Sequence, residues 1–279
     1  MAKKTTAPKN FYTAEKAIEK LQMSRSTFFD HVRKGKIKKV IPPGQKEGYY
    51  PKKIIDDLAR ARELVILEYA TEPSSFTQAT DEDIKGIHDL CVSLFGITET
   101  VNYETMLSWQ QKNPYTYFVT KQEGFVTGYF GFLHLNEEVT ERIMSQPLPG
   151  VPMPPSTDVE PFIPGKPIHG LFVGLAVRPG LPETQAKLQG RHLITGAIGV
   201  LEEFARQNTP VHMLYATART SYGFRLSRKL GFEEIAYPGD PLIRFKINLL
   251  ISDNRLLREY QRIIKRAASQ QARKSDRMT

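Results

Sequence analysis

The residues best suited to chemistry in this 279-residue chain fall into three groups. The first is Gln189-Gly190-Arg191-His192-Leu193-Ile194, which stands just ahead of the apolar helical repeat Ala197, Leu201, Phe204 and Ala205. A glycine lets a ligand approach the backbone closely, Arg191 carries a permanent charge suited to phosphate, and His192 adds a hydrogen-bond donor. The second group exchanges protons: His169 within an apolar run, Glu137 and Glu138 after a strand-like segment, and Ser227 with Tyr215 and Tyr222 near it in sequence. The third is the basic stretch that begins with Arg25, Ser26 and Thr27 and continues through Lys34, Lys36, Lys38, Lys39 and Lys46. Cys91 is the single cysteine, and the six histidines are scattered, so no internal disulfide and no metal site is expected. Cys91 lies in an apolar helical stripe and reads as core filling.

With 40% apolar, 25% charged and 10% aromatic residues, the chain falls among ordinary globular proteins. It lacks an apolar run of the ~18 residues that a membrane span needs, and Met1-Ala2-Lys3-Lys4-Thr5-Thr6 lacks the apolar core of a signal peptide, so a soluble cytoplasmic protein with no membrane partner is expected. Charge is uneven along the chain. Residues 1–70 hold 16 Lys and Arg against 8 Asp and Glu, residues 71–250 hold 15 against 19, and residues 251–279 hold 8 against 3. An acidic body between two basic ends points to a polyanion at the ends, nucleic acid foremost, with solvated helical surfaces as the alternative.

The elements that must carry these groups read as three segments: residues 1–70, 76–250 and 251–279. In the first, Thr13 caps a short helix with Ala14, Ala17, Ile18 and Leu21 inward, and Ser24 caps a second with Phe28, Phe29 and Val32 inward, ended by Gly35. Ile37 to Ile41 and Tyr49-Tyr50 flank the breaker run Pro42 to Gly48 and read as a hairpin wing. Pro51 opens a third helix with Ile54, Ile55, Leu58 and Val65 inward. Over residues 10–68, and above all in Met23-Ser24-Arg25-Ser26-Thr27-Phe28-Phe29 with Lys34-Gly35-Lys36-Ile37, this resembles the winged helix-turn-helix heads of MerR and excisionase-like proteins. The resemblance implies binding of double-stranded DNA, with Arg25, Ser26 and Thr27 at base edges and Lys34, Lys36, Lys38, Lys39 and Lys46 at phosphates. A single such unit implies a homodimer on two half-sites.

In the second segment, Phe76 to Thr80 reads as a strand, and Asp81 opens a helix with Ile84, Ile87, Cys91, Leu94 and Phe95 inside. A helix follows from Asn102 through Trp109, then a hairpin of Tyr115–Thr120 and Phe125–Leu135, then a proline-rich loop over 147–167. Ile168 to Val177 is a buried strand, Leu193–Arg206 a helix, Val211–Ala216 a strand, Tyr222–Leu230 a helix, and Ile243–Ile247 a last strand. The predicted class is α/β (α+β), with a mixed central sheet flanked by helices. Phe118 to Gly128, Leu175-Ala176-Val177-Arg178-Pro179, Gln189 to Ile194 and Leu226-Ser227-Arg228-Lys229-Leu230-Gly231-Phe232 together resemble the GNAT superfamily of acyl-CoA-dependent N-acyltransferases, over residues 76–249.

That resemblance implies acetyl-CoA or another acyl-CoA as co-substrate. Leu175, Ala176 and Val177 would pair with its pantetheine arm, and Gln189, Gly190, Arg191, His192, Leu193 and Ile194 would form the loop at its pyrophosphate. His192 and Ile194 fill positions where the family has small residues, and Ser227 stands where it usually has a tyrosine that protonates the leaving thiolate. The catalytic candidates are therefore His169, Ser227 and Tyr222, with Glu137 and Glu138 as further bases. The C-terminal segment is a basic amphipathic helix with Leu256, Leu257, Tyr260, Ile263 and Ile264 on its apolar stripe, packed on the second domain or on a second copy, and frayed after Ala268. The preferred reading is an N-acetyltransferase acting on an unknown amine, fused to a DNA-binding head. A transcriptional regulator whose acyltransferase-like domain senses a ligand without catalysis, or a protein-binding module, stays open.

Overall fold

A computed structural model of the chain describes residues 7–43, 47–68, 74–145, 153–218, 220–235 and 243–275. These divide into two compact units, Met1–Thr71 and Glu72–Thr279.

The first unit has a two-residue strand β1 (Phe11–Tyr12), helices α1 (Ala14–Leu21) and α2 (Arg25–Arg33), strand β2 (Tyr50–Pro51), which pairs antiparallel with β1, and helix α3 (Lys52–Glu68). Both predicted caps are in place: the Thr13 hydroxyl accepts from the Lys16 amide and the Ser24 hydroxyl from the Thr27 amide. Gly35 takes the left-handed backbone that ends α2, with φ of 70°. Ala17, Leu21, Phe28, Ile37, Tyr50 and Ile55 form the core. Phe29, Leu58 and Val65, expected inward, are exposed. Phe29 packs edge-on against Phe28 instead. The expected wing consists of one antiparallel bridge between Val40 and Tyr49, and its tip, with Lys46, lies outside the described residues.

The second unit is a seven-stranded mixed sheet flanked by helices. In chain order it runs β3 (Ser75–Gln78), α4 (Asp81–Phe95), α5 (Tyr103–Lys112), β4 (Tyr117–Gln122), β5 (Phe125–Leu135), α6 (Glu137–Ser145), β6 (Ile168–Val177), α7 (Glu183–Arg206), β7 (Val211–Ala218), α8 (Ser221–Lys229), β8 (Glu233–Ile235), β9 (Ile243–Asn248) and α9 (Arg258–Ser275). Across the sheet the strands lie in the order β3-β4-β5-β6-β7-β9-β8. Only β6 and β7 are parallel, joined by the α7 crossover, and every other neighbouring pair is antiparallel. The mixed α/β class expected from the sequence is thus the class observed.

One face of this sheet packs Ile84, Ile87, Leu90 and Cys91 of α4 and Met106 and Trp109 of α5 against Tyr117, Tyr129, Leu133 and Leu171. The other packs Leu193, Leu201, Phe204 and Ala205 of α7 and Leu257 and Tyr260 of the C-terminal segment against Phe118, Phe130, Phe132 and Leu214. The C-terminal helix therefore docks on its own unit, with its Tyr260 hydroxyl donating to the Val211 carbonyl at 2.6 Å. It runs to Ser275, past Ala268, where fraying is expected from the sequence. Leu94 and Phe95, expected inside, are exposed at the end of α4. Two elements escape the sequence reading: α6, and the short edge strand β8. The proline-rich segment holds a 3-10 turn at Ser156–Asp158, and residues 146–152 lie outside the described residues.

Replacing Tyr260 by Phe leaves the buried Val211 carbonyl without its donor, at a cost of roughly 1–3 kcal/mol. The expected result in a thermal melt is a Tm lowered by about 2–10 °C for a unit of this size.

Candidate functional site

The site arises from an irregularity in β6. Along the β5–β6 ladder, Gly131 faces Gly174 but the next residue, Phe132, faces Phe172, so Val173 is an extra residue bulged out of register. A bulge bends its strand and sharpens the local twist. Pairing between β6 and β7 stops at the same level, with Phe172 opposite Ala216. Beyond it, β6 stays with β5 as far as Gly128 opposite Val177, and β7 stays with β9 as far as Ala218 opposite Ile243. The two parallel strands part in the middle of the sheet. The edge of Val173–Val177 that faces β7 has no strand partner among the described residues.

Into this opening runs a cavity of about 270 Å³. It is lined from both faces of the sheet: Cys91, Met106, Trp109, Tyr117 and Tyr129 belong to the α4–α5 side, and Phe130, Leu175, Ile194, Ala197 and Leu201 to the α7 side. Thr220, Gly223, Leu226 and Ser227 add the wall from the start of α8. Helices α7 and α8 follow β6 and β7 directly, so their N-terminal, partially positive ends lie where the two strands end. Crevices outside the carboxyl ends of parallel strands are the usual ligand position in open α/β sheets.

The glycine pair at the bulge makes room for two phenols. A Cβ on Gly174 would stand 2.2 Å from the Tyr129 hydroxyl, and one on Gly131 would stand 2.9 Å from the Tyr117 ring. The rings therefore lie flat on the strands. Cys91 donates its thiol hydrogen to the Tyr129 hydroxyl at 3.2 Å, deep in the wall. Burial pushes the Cys91 thiol up to about 11 despite that bond. Burial also holds the Tyr117 and Tyr129 phenols well above their ordinary range, and neighbouring Cys91 adds to the effect. At neutral pH all three are uncharged. The sequence reading missed this set: its members sit on three elements, and only the pairing of β4 and β5 beneath α4 brings them together.

The predicted residues are distributed unevenly around the opening. Leu175, Ile194 and Ser227 line the cavity, and Ala176 and Val177 continue the unpaired edge. The expected pyrophosphate loop is not a loop. Helix α7 begins at Glu183, ten residues earlier than Leu193, so Gln189, Gly190, Arg191 and His192 sit within its second and third turns. Their amide hydrogens belong to the helical ladder, and the free amides lie in the turn that begins after Pro182. The physical reason is that Glu-Thr-Gln-Ala-Lys-Leu-Gln is a good helical sequence after Pro182, with a Glu183–Lys187 ion pair at 2.6 Å, and one glycine does not break it.

Within the helix, Gln189 is buried, its side-chain Nε2 donating to the side-chain Oε1 of Gln122 at 3.5 Å. Arg191 is exposed, and the His192 ring is bonded to the Ser74 hydroxyl at 2.7 Å rather than offered to an anion. Leu193 is core.

Among the proton-transfer candidates, His169 faces Met213 in the closed part of the β6–β7 ladder, about four residues or roughly 13 Å before the opening. It does not line the cavity, nor does Tyr222, which is 63% exposed on the outside of α8. Glu137 and Glu138 begin α6, beyond the end of β5 that pairs with His169. Tyr215 faces Leu171, again in the closed part. The strand register thus places His169, Tyr215, Glu137 and Glu138 toward the end of the sheet away from the opening, whereas Tyr222 stands near the opening at the start of α8 and is exposed. Glu99 is the one charged residue among the described lining residues, and it is exposed.

In the first unit, Arg25, Ser26 and Thr27 form the exposed N-terminal turn of α2, with the Arg25 guanidinium 5.7 Å over the Phe29 ring. The Ser26 and Thr27 hydroxyls bond to Ser24, at 2.9 Å and 2.8 Å. Lys34 is paired with Asp30 at 2.7 Å, and its hydrogen bond holds the Asp30 carboxyl below the usual range. Lys36 and Lys38 are exposed and have no ion-pair partner among the described residues.

No family model matches the chain, and no curated protein matches it. Among solved structures, the chain is similar to a putative acetyltransferase from Salmonella typhimurium with its cofactor acetyl-CoA, at 17% identity and a TM-score of 0.41 over 66% of this chain and 97% of that one. It is also similar to an N-acetyltransferase from Staphylococcus aureus, at 14% identity and a TM-score of 0.39 over 63% and 99%. An agmatine N-acetyltransferase mutant in its apo form is similar at 14% identity and a TM-score of 0.43 over 63% and 100%.

The environment of Cys91 leads to a direct test. With the thiol pushed up to about 11, its thiolate is scarce at pH 8, and a thiol reagent is expected to label it at least about a hundredfold more slowly than a free cysteine. Labelling that matches the free-cysteine rate would show that the wall is open to solvent.

Proposed function

We propose that the unit Glu72–Thr279 is an acyl-CoA-dependent N-acyltransferase of the GNAT type. The observation that carries this reading is the parting of β6 from β7 at the Val173 bulge, which leaves one strand edge unpaired beside a cavity through the sheet. An unpaired edge at Leu175, Ala176 and Val177 suits an extended, amide-bearing ligand, which pantetheine is. The first turn of α7 supplies free amides and a positive helix end for a diphosphate, in place of the loop expected around Gly190.

In this reading the acceptor amine nitrogen attacks the thioester carbonyl carbon within the opening. The C–N bond forms, the C–S bond breaks, and its electron pair leaves on sulfur as a thiolate. The amine gives up its proton to water and the thiolate takes one. Ser227, the polar α8 side chain in the wall, relays a proton through water rather than acting as an acid itself. Rate comes mainly from holding the two reactants together in a site closed by apolar walls.

The regulator reading draws on one observation. Among the described lining residues there is no histidine, and the buried phenols and thiol stay neutral at physiological pH. Titrating the full chain with acetyl-CoA by calorimetry is the first test. Micromolar binding that Ile194→Trp abolishes, with folding retained in a thermal melt, supports the site. Release of free CoA with a panel of amines then separates enzyme from sensor, and no binding at millimolar acetyl-CoA overturns the acyltransferase reading.

We further propose that the unit Met1–Thr71 holds the chain on double-stranded DNA through the exposed start of α2 and the lysines that follow it. Each lysine at a phosphate contributes about 0.9 to the slope of log affinity against log salt. Anisotropy titrations of the full chain on a random 30-base-pair duplex are expected to lose about two from that slope in Lys36→Ala/Lys38→Ala, equally for all sequences. An unchanged slope would remove the lysines from the interface.

A further inference from the structure

The α4–α5 side of the cavity is more apolar than transfer of an acetyl group requires. Its wall is built from Val101, Met106, Trp109, Tyr117, Tyr129 and Val173. The Trp109 indole is already satisfied by the Pro154 carbonyl at 3.0 Å, and the Tyr129 hydroxyl already accepts from Cys91. Apart from the Tyr117 and Tyr129 hydroxyls, this wall presents ring faces and methyl groups. A charged amine placed here would be desolvated, and Glu99, the one carboxylate among the described lining residues, is exposed. The compartment is also continuous with the unpaired Val173–Val177 edge, because the bulged Val173 itself forms part of its wall. A thioester laid along that edge would point its acyl group through the opening and into the compartment.

We infer that this compartment receives the hydrocarbon chain of a medium-chain acyl thioester, and that the preferred donor is longer than acetyl. The inference rests on the acyl-CoA reading given above. It explains why a pair of glycines flattens two aromatic rings against the sheet just where the strands part. Either ring standing upright would fill the space, and a side chain at Gly174 would collide with the Tyr129 hydroxyl. Each methylene taken out of water contributes about a fourfold gain in affinity.

The test is a calorimetric series on the full chain with free CoA and with acetyl-, butyryl-, hexanoyl- and octanoyl-CoA. The expected result is an affinity that rises about two- to fourfold per methylene until the compartment is full. Val101→Trp, at the partly buried edge of the wall, and Met106→Phe, within it, are each expected to flatten the series to the acetyl value while free CoA still binds as in the parent chain. Two independent variants guard against misfolding of either, and a thermal melt reports it. Equal affinities across the series, or a decline with length, overturn the inference and leave the acyltransferase reading standing. That outcome assigns the compartment to an apolar acceptor. Failure of free CoA and every thioester to bind overturns the reading on which the inference rests.

Discussion

The structure of the larger unit depends on one extra residue. Val173 forces β6 out of step with β5, and the bend that follows breaks the parallel ladder to β7 after Phe172 and Ala216. A ladder that ran to the strand ends would satisfy more backbone groups and leave no cavity. The unit forgoes those bonds in the middle of its sheet, where unpaired polar backbone is most costly. The antiparallel ladders on either side hold the two halves in place, so the opening is a built feature and not a frayed edge. The two cores on opposite faces of the sheet meet through it, and both helices that follow the parallel strands begin beside it.

The chemistry available at the opening follows from its walls. Apolar faces exclude water and strengthen whatever polar contact a bound ligand makes with the free strand edge. They also keep Cys91, Tyr117 and Tyr129 neutral, which suits them to shaping a ligand rather than to exchanging protons with it. Ser227 is the polar side chain that α8 brings in.

The two units use opposite physical means. The smaller one has a core of few residues and leaves Lys36 and Lys38 exposed after α2. The larger one keeps its distinctive residues inside. The charge difference between the first 70 residues and the body reflects that division.

Much of this architecture is legible in the chain of residues. Thr13 and Ser24 as caps, Gly35 as a stop, the hairpin before Leu135 and the apolar run of Ile168 to Val177 are local signals, and local signals report the backbone they sit in. Helical period misleads at element edges, where burial depends on what lies opposite: Phe29, Leu58, Val65, Leu94 and Phe95 carry the right period but stay exposed. The start of α7 is hidden for a related reason, since Gly190 reads as a loop residue in isolation, whereas the preceding residues propagate a helix through it. The candidate site divides along the same line. Leu175, Ile194 and Ser227, which line the opening, and Ala176 and Val177, which continue its edge, are positions that the family resemblance of their segments implies. The removal of His169 from the opening, and the assembly of Cys91, Tyr117 and Tyr129 into its wall, depend on strand register, and register is set by contacts between residues far apart in sequence.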